Sequence, residues 1–216
     1  MKTRRWDIKN CFTRSLIIGG FLLLSTFSTF SQTERSMNWL ARAHGGYVIP
    51  HHPEMKSLIT GHAKGFELCA EFTTDGSKEW HSAYKNPSLG LDFFMTSLGN
   101  PEQLGEQYSL LLGPILPLNP GKKISARLQI GMGPGIATKT WDLETNYQAT
   151  PIGSTLNGAL LAQLELLIPI SNRARLSVGA RMSHLSNAAF KLPNLGTNLT
   201  SVFLGLHLGK IKTVTP

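Results

Sequence analysis

Near its C-terminal end the chain reads His184-Leu185-Ser186-Asn187, and Asn198 follows after a Gly- and Pro-containing loop. On an extended strand, residues two apart leave the same face, so His184 and Ser186 project together. That spacing sets an imidazole beside a hydroxyl and lets it take the proton a serine must lose before attacking a carbonyl at neutral pH. The chemistry implied is acyl transfer. The hydroxyl adds to an ester, N–H donors meet the oxyanion, and water releases the acyl group from the serine. No metal and no organic cofactor is expected. Taken alone, a His-x-Ser-Asn string reads more readily as a strand ending among polar residues at a water interface.

The elements that must carry these residues show a period of two. From Ile124 to Thr138 one face holds Ile124, Ala126, Leu128, Ile130, Met132 and Ile136, and the other holds Ser125, Arg127, Gln129 and glycines. Leu156 to Ile168, Arg175 to Ser183, Thr200 to Leu208 and the shorter Leu89 to Met95 repeat the pattern, separated by turn signals such as Asn86-Pro87, Asn119-Pro120-Gly121 and Ser171-Asn172. Segments near 39–49, 58–72 and 104–116 alternate less cleanly, which brings the count to about eight strands. A soluble sandwich alternates too. Here the apolar faces are nearly pure aliphatic, and the opposite faces carry Arg127, Arg175, Arg181, Gln163 and Glu165, a set suited to a polar lumen. The expected fold is therefore all-β: an eight-stranded antiparallel transmembrane β-barrel, its interior filled by side chains and too narrow for a pore. His184 and Ser186 continue the apolar set Leu176, Val178, Ala180 and Met182, and Asn198 continues the apolar face of the last strand. All three are expected to face lipid, where a polar group is costly unless it lies at the membrane edge or performs a function.

Composition agrees with an exported barrel. Lys and Arg number 21 against 13 Asp and Glu, yet only 16% of the 216 residues are charged and no dense basic run lies beyond the first fourteen or so residues, which argues against a nucleic-acid partner. Lys2, Arg4, Arg5, Lys9 and Arg14 precede the apolar run Leu16 to Leu24, and Thr29 and Ser31 sit like the small residues of a cleavage site. Residues 1–31 are expected to be a secretory signal peptide and 32–216 a single barrel domain; a membrane anchor is the alternative, though the run is short for crossing the bilayer. Cleavage removes Cys11 and leaves Cys69, expected to be a small buried residue.

Other signals read as structural. His51-His52, with His44 and His62, lacks an accompanying carboxylate cluster, and adjacent histidines on an extended chain point apart, so these are expected in loops or at strand ends. Gly131-Met132-Gly133-Pro134-Gly135 lacks the ending of a phosphate loop, and its glycines are expected to relieve crowding. Trp141 and Tyr147 suit an interfacial aromatic girdle or core packing, and Lys139 and Lys191 suit a charged rim.

The string His184-x-Ser186-Asn187, followed by Pro193-Asn194-x-Gly196, resembles the active-site signature of the PagL-type lipid A deacylases, eight-stranded outer-membrane barrels that hydrolyse an ester-linked acyl chain of lipid A. A weaker likeness extends over the signal, the strand count, the place of the motif in the last two strands, and a Gly-rich strand ending in Lys139-Thr140-Trp141-Asp142. The resemblance implies Ser186 as nucleophile, His184 as general base and Asn187 as a contributor to the oxyanion hole. Asn198 stands where the best-described members carry the glutamate of the triad. An amide oxygen still accepts the imidazole N–H, but it does not offset imidazolium charge; the same replacement in serine proteases lowers turnover about 10⁴-fold. The likeness places the chain in the bacterial outer membrane, with lipid A or lipopolysaccharide of the outer leaflet as partner and a homodimer as the protein contact to consider. Two alternatives remain at this level: a catalytically silent barrel with a structural or adhesion role that retains the motif, and a soluble exported β-domain that binds a lipid.

Overall fold

Residues 36–209 are described by the structure, a computed structural model. The expected signal peptide, residues 1–31, lies outside them, as does the extreme C-terminus. Eight strands follow in chain order: β1 (Met37–Val48), β2 (Ala63–Thr73), β3 (Ser88–Ser97), β4 (Glu106–Pro117), β5 (Ser125–Ala137), β6 (Leu156–Pro169), β7 (Ala174–Ser186) and β8 (Thr197–Leu208). Each pairs antiparallel with its neighbour in sequence, and β1 pairs with β8 to close the ring, so no edge is left unpaired. The only described helices are a 3₁₀ turn at Pro53–Met55 and α1 (Glu79–Ala83), and no described helix is long and apolar enough to cross a membrane.

The strands of clean alternation lie where the period places them. The weaker 58–72 segment shifts: Pro53 opens the 3₁₀ turn, Met55 and Leu58 turn inward to fill the barrel's end, and β2 begins only at Ala63. Along β6 the outward residues Leu156, Leu160, Leu164 and Leu166 are exposed, while Asn157, Gln163 and Glu165 are buried. The exposed belt continues through Trp39, Phe66, Leu112, Ile130, Met132, Val202 and Leu204. An apolar exterior of this kind needs hydrocarbon around it.

Inside, the buried carboxylates of Glu67, Glu71 and Glu165 meet arginine and histidine side chains. Glu165 of β6 bridges two arginines, accepting from Arg42 Nη2 at 2.7 Å and from Arg127 Nε at 3.0 Å, with Ser177 as a further donor. Arg127 also reaches Glu71 at 2.7 Å, and Glu71 is met by His207 at 2.8 Å. His44 binds Glu67 at 2.9 Å and Ser201 at 3.1 Å, so it belongs to this buried network and to no loop. Arg181 stacks over Phe94 with its guanidinium carbon 3.9 Å from the ring centre. Buried charges are tolerated when they are paired and hydrogen-bonded, and this set plugs the lumen. Cys69 is fully buried beside Leu40 and Ile115.

The two ends of the cylinder differ. One carries the connections 118–124 and 170–173 together with the 74–87 segment. The other carries 49–62, 98–105, 138–155 and 187–196, closed from within by an apolar cluster of Val48, Met55, Leu58, Phe94, Leu98, Leu104 and Leu199. The His184–Ser186 segment ends β7 at this second rim.

Candidate active site

The inside of β7 fixes what the outside presents. Leu185 is fully buried and packs with Leu111, Ala137, Ile152, Ala159 and Leu161. With Leu185 driven inward, the pleat turns His184 and Ser186 outward. Both are half-buried, on the face shared with exposed Met182. At the bilayer midplane a cation on this face costs about 2–4 kcal/mol, falling to about 0–1 near the interface, so the end of a strand is where such a pair is tolerated.

Register supplies the third group. His184 stands directly opposite Asn198 in the β7–β8 ladder, and its Nδ1 lies 2.7 Å from Asn198 Oδ1. An amide oxygen is only an acceptor, so Nδ1 carries the hydrogen and donates. Nε2 is then the basic nitrogen, the tautomer that proton abstraction from a hydroxyl requires.

On the other side of β7, the Cα partner of Ser186 is Gly158 of β6, and Pro134 of β5 pairs with Gly158 in turn. Next to the serine, exposed Gly158 carries no side chain, between the exposed Leu156 and Leu160 and with the exposed ring of Pro134 beyond it.

The two halves of the motif meet in the 187–196 loop. Asn187 N–H donates to Asn194 Oδ1 at 3.1 Å. Phe190 N–H returns to Asn187 O at 3.3 Å, closing a turn whose central residues Ala188 and Ala189 have φ of 54° and 62°. Left-handed alanines are rare and strained, and the tie to Asn194 helps to hold them. Gly196, at φ 75°, sits against the pair itself: a Cβ there would lie 2.9 Å from His184 Cε1 and 3.4 Å from Ser186 Cβ. Only a residue without a side chain leaves the imidazole and the serine undisturbed.

Asn187 itself points inward. Its Nδ2 donates to Ser154 Oγ at 2.7 Å and to Lys191 O at 2.9 Å, and the residue is buried. Both amide hydrogens are engaged by the 138–155 and 187–196 loops, an arrangement that differs from the oxyanion role the resemblance implies for this side chain. The same loop leans on the 138–155 segment, where Gly196 N–H donates to Pro151 O at 2.8 Å.

Sequence reasoning passed over His51. The β1–β8 closure, with Val48 paired to Leu199, brings the start of the 49–62 segment beside Asn198. His51 Nε2 is 2.9 Å from Leu195 O, and its Nδ1 is 3.3 Å from Asn198 Nδ2. Nothing local in the His51-His52 string signals this; only the closure of the ring by first and last strands does. Among the described residues, no cluster of three or more His, Cys, Asp or Glu could hold a metal.

The lysines noted from the sequence lie exposed on two loops of this rim, Lys139 in 138–155 and Lys191 in 187–196. The Asp142 carboxyl is held below its ordinary value chiefly by hydrogen bonds from the Thr145 backbone N–H, the Thr145 hydroxyl and the Glu144 N–H, with the Lys191 charge adding to them. Trp141 is half-buried and Tyr147 exposed on the same loop, near exposed Leu143.

A closed eight-stranded barrel with an apolar exterior and a histidine beside a serine on its outer surface defines an outer-membrane barrel of the kind that includes enzymes acting on membrane lipids. The profile of the lipid A 3-O-deacylase (PagL) family matches residues 64–207, and the chain belongs to that family. It is a bacterial outer-membrane protein. Among solved structures, the outer-membrane enzyme PagL is 21% identical at a TM-score of 0.51, the match covering 77% of this chain and 97% of that one. Neisserial surface protein A is 13% identical at 0.50, with 80% and 96% covered. At these identities the likeness shows the fold. No curated protein matches the sequence. Neither fold nor family supports the homodimer considered from the sequence.

Proposed function

We propose that this chain is an outer-membrane serine esterase that removes an ester-linked acyl chain of lipid A, at the 3-O position that the family description specifies. The observation that carries the reading is the outward His184 with its Nδ1–H held by Asn198 at 2.7 Å, two residues from an outward Ser186 on a lipid-facing strand. His184 Nε2 takes the Ser186 proton, and Ser186 Oγ adds to the ester carbonyl. The imidazolium returns the proton to the departing sugar oxygen. Water, activated by the same nitrogen, then frees the fatty acid from the acyl-serine. Asn187 holds the 187–190 turn, and backbone N–H groups of that turn meet the oxyanion. The acyl chain lies over the bare backbone of Gly158 beside the Pro134 ring, flanked by Leu156 and Leu160. Lys139 and Lys191, at the rim expected to face the cell exterior, attract the phosphates of lipid A.

The test is mass spectrometry of lipid A from cells expressing the chain. The expected spectrum lacks one acyl chain relative to control, and the Ser186→Ala protein, folded by heat-modifiable gel migration, leaves lipid A intact. Equal deacylation by the Ser186→Ala protein overturns the mechanism. Intact lipid A with the unaltered chain returns the protein to a silent barrel of structural role.

A further inference from the structure

The third group of the site is an amide, and an amide has two ends. Turned one way, Asn198 offers an oxygen to His184 Nδ1–H; turned the other, it offers an N–H, which stabilises the tautomer with hydrogen on Nε2 and leaves no base for Ser186. A carboxylate has no such ambiguity. The chain therefore needs something to decide which way Asn198 faces. We infer that His51 is the positioning residue that fixes the Asn198 amide with its oxygen toward His184. The inference rests on the esterase reading of the site.

The hydrogen-bond inventory around His51 supports it. Leu195 O, 2.9 Å from Nε2, is an acceptor, so Nε2 carries the hydrogen. In the neutral ring Nδ1 is then a lone pair, and its neighbours are Asn198 Nδ2 at 3.3 Å and Ile49 O at 3.2 Å. Only the amide nitrogen can donate to it. The opposite tautomer sets a lone pair against the Leu195 carbonyl at 2.9 Å, and an amide flip sets Asn198 Oδ1 against the Nδ1 lone pair. With the ring neutral, one arrangement matches Leu195 O, His51, Asn198 and His184 donor to acceptor along the chain, while the Ile49 carbonyl beside Nδ1 takes the His51 backbone N–H at 3.0 Å.

The support is built from the backbone. Ile49 N–H donates to Asn198 O at 2.7 Å and His51 N–H to Ile49 O at 3.0 Å, so the chain leaving β1 is clamped to the residue that His51 orients. The His52 ring stands edge-on at 4.8 Å. Leu195 precedes Gly196, whose missing side chain leaves room for both His184 and Ser186. His51 thus braces the loop and the amide at once, and a test must separate the two.

The full-length protein, folded in detergent, provides it, with turnover on lipid A measured for His51→Ala and His51→Asn, each alone and with Asn198→Glu. The expected result is a roughly tenfold or greater fall in kcat for His51→Ala with KM little moved. His51→Asn recovers much of that loss, because its amide oxygen takes the place of Nδ1 as acceptor. In the Asn198→Glu protein the His51→Ala loss shrinks markedly, since a carboxylate needs no orienting. Equal losses in the two backgrounds, or an His51→Asn protein as impaired as His51→Ala, overturn the inference and leave His51 a loop brace. Nitrogen-15 spectra of the ring, recorded where His51 is neutral, give a readout independent of activity: Nε2 bears the hydrogen and Nδ1 accepts. Hydrogen on Nδ1 overturns the inference. A wild-type protein that spares lipid A sinks the esterase reading alone, and the ring spectrum still decides the role of His51.

Discussion

Leu185 fills, inside the barrel, the space that a side chain on Gly135 would need. The strand that shows His184 and Ser186 to the lipid is thereby pinned from behind by its one intervening residue, and the glycine of β5 is what admits it. The Gly-rich run of β5 is shaped for packing, one strand removed from the chemistry.

Shortening that pin costs both stability and activity. Leu185→Ala leaves a cavity among Ile152, Ala159 and Leu161, for which about 2–5 kcal/mol is the usual penalty. Urea unfolding of the protein in detergent is expected to show the midpoint fall, and kcat is expected to fall with it as His184 and Ser186 lose their fixed pleat. Unchanged kcat in a destabilised protein would show that the outer pair is held by the 187–196 loop instead.

Ser186→Ala and His184→Ala are each expected to abolish deacylation, with a fall in turnover on the order of 10⁶, the scale known for a serine hydrolase stripped of nucleophile or base. The double variant is expected to be no worse than either single one, because the two groups act as a unit. A stepwise, additive loss measured in vitro would place them in separate roles.

Asn198→Glu is expected to keep or raise turnover, since the carboxylate accepts the same Nδ1–H and adds a charge that stabilises the imidazolium. Asn198→Ala is expected to lower it sharply. A clear drop for the glutamate would mean that the amide has work of its own at this position, through its N–H toward His51.

Gly196→Ala tests the wedge between the pair. Its Cβ meets His184 Cε1 at 2.9 Å in a left-handed backbone that disfavours alanine, a strain of about 1–3 kcal/mol. Turnover is expected to fall by more than the small shift in unfolding midpoint explains, and wild-type turnover in this variant would show that the ring has room to move.

The lumen makes a prediction independent of catalysis. Glu165 is the shared acceptor of Arg42 and Arg127. Glu165→Leu leaves two buried guanidinium groups short of a counter-charge, a loss of about 3–5 kcal/mol. Heat-modifiable gel migration is expected to show the barrel opening at a lower temperature.

The strands were legible because lipid outside and a plugged lumen inside impose a strict period of two, as in β6, where Leu160, Leu164 and Leu166 face out and Gln163 and Glu165 face in. Parity also placed His184, Ser186 and Asn198 on one surface, and the His184–Asn198 contact follows from their being opposite in register. The β2 boundary was not legible, because Met55 and Leu58 are apolar for a capping role that mimics the start of a strand. The orientation of Asn187 escaped for a related reason: its partners, Ser154 and the Lys191 carbonyl, come from loops whose path no periodicity encodes. His51 escaped because its significance is created by ring closure, which joins the most distant strands in the sequence.

The outward placement of Ser186 also governs what concentration means for this molecule. A hydroxyl reached sideways, through the plane of the leaflet, samples neighbours per unit area and not per unit volume. Its rate should track the mole fraction of ester in the film around it, so inert amphiphile that merely spreads the substrate should slow the reaction with no molecule bound to the protein.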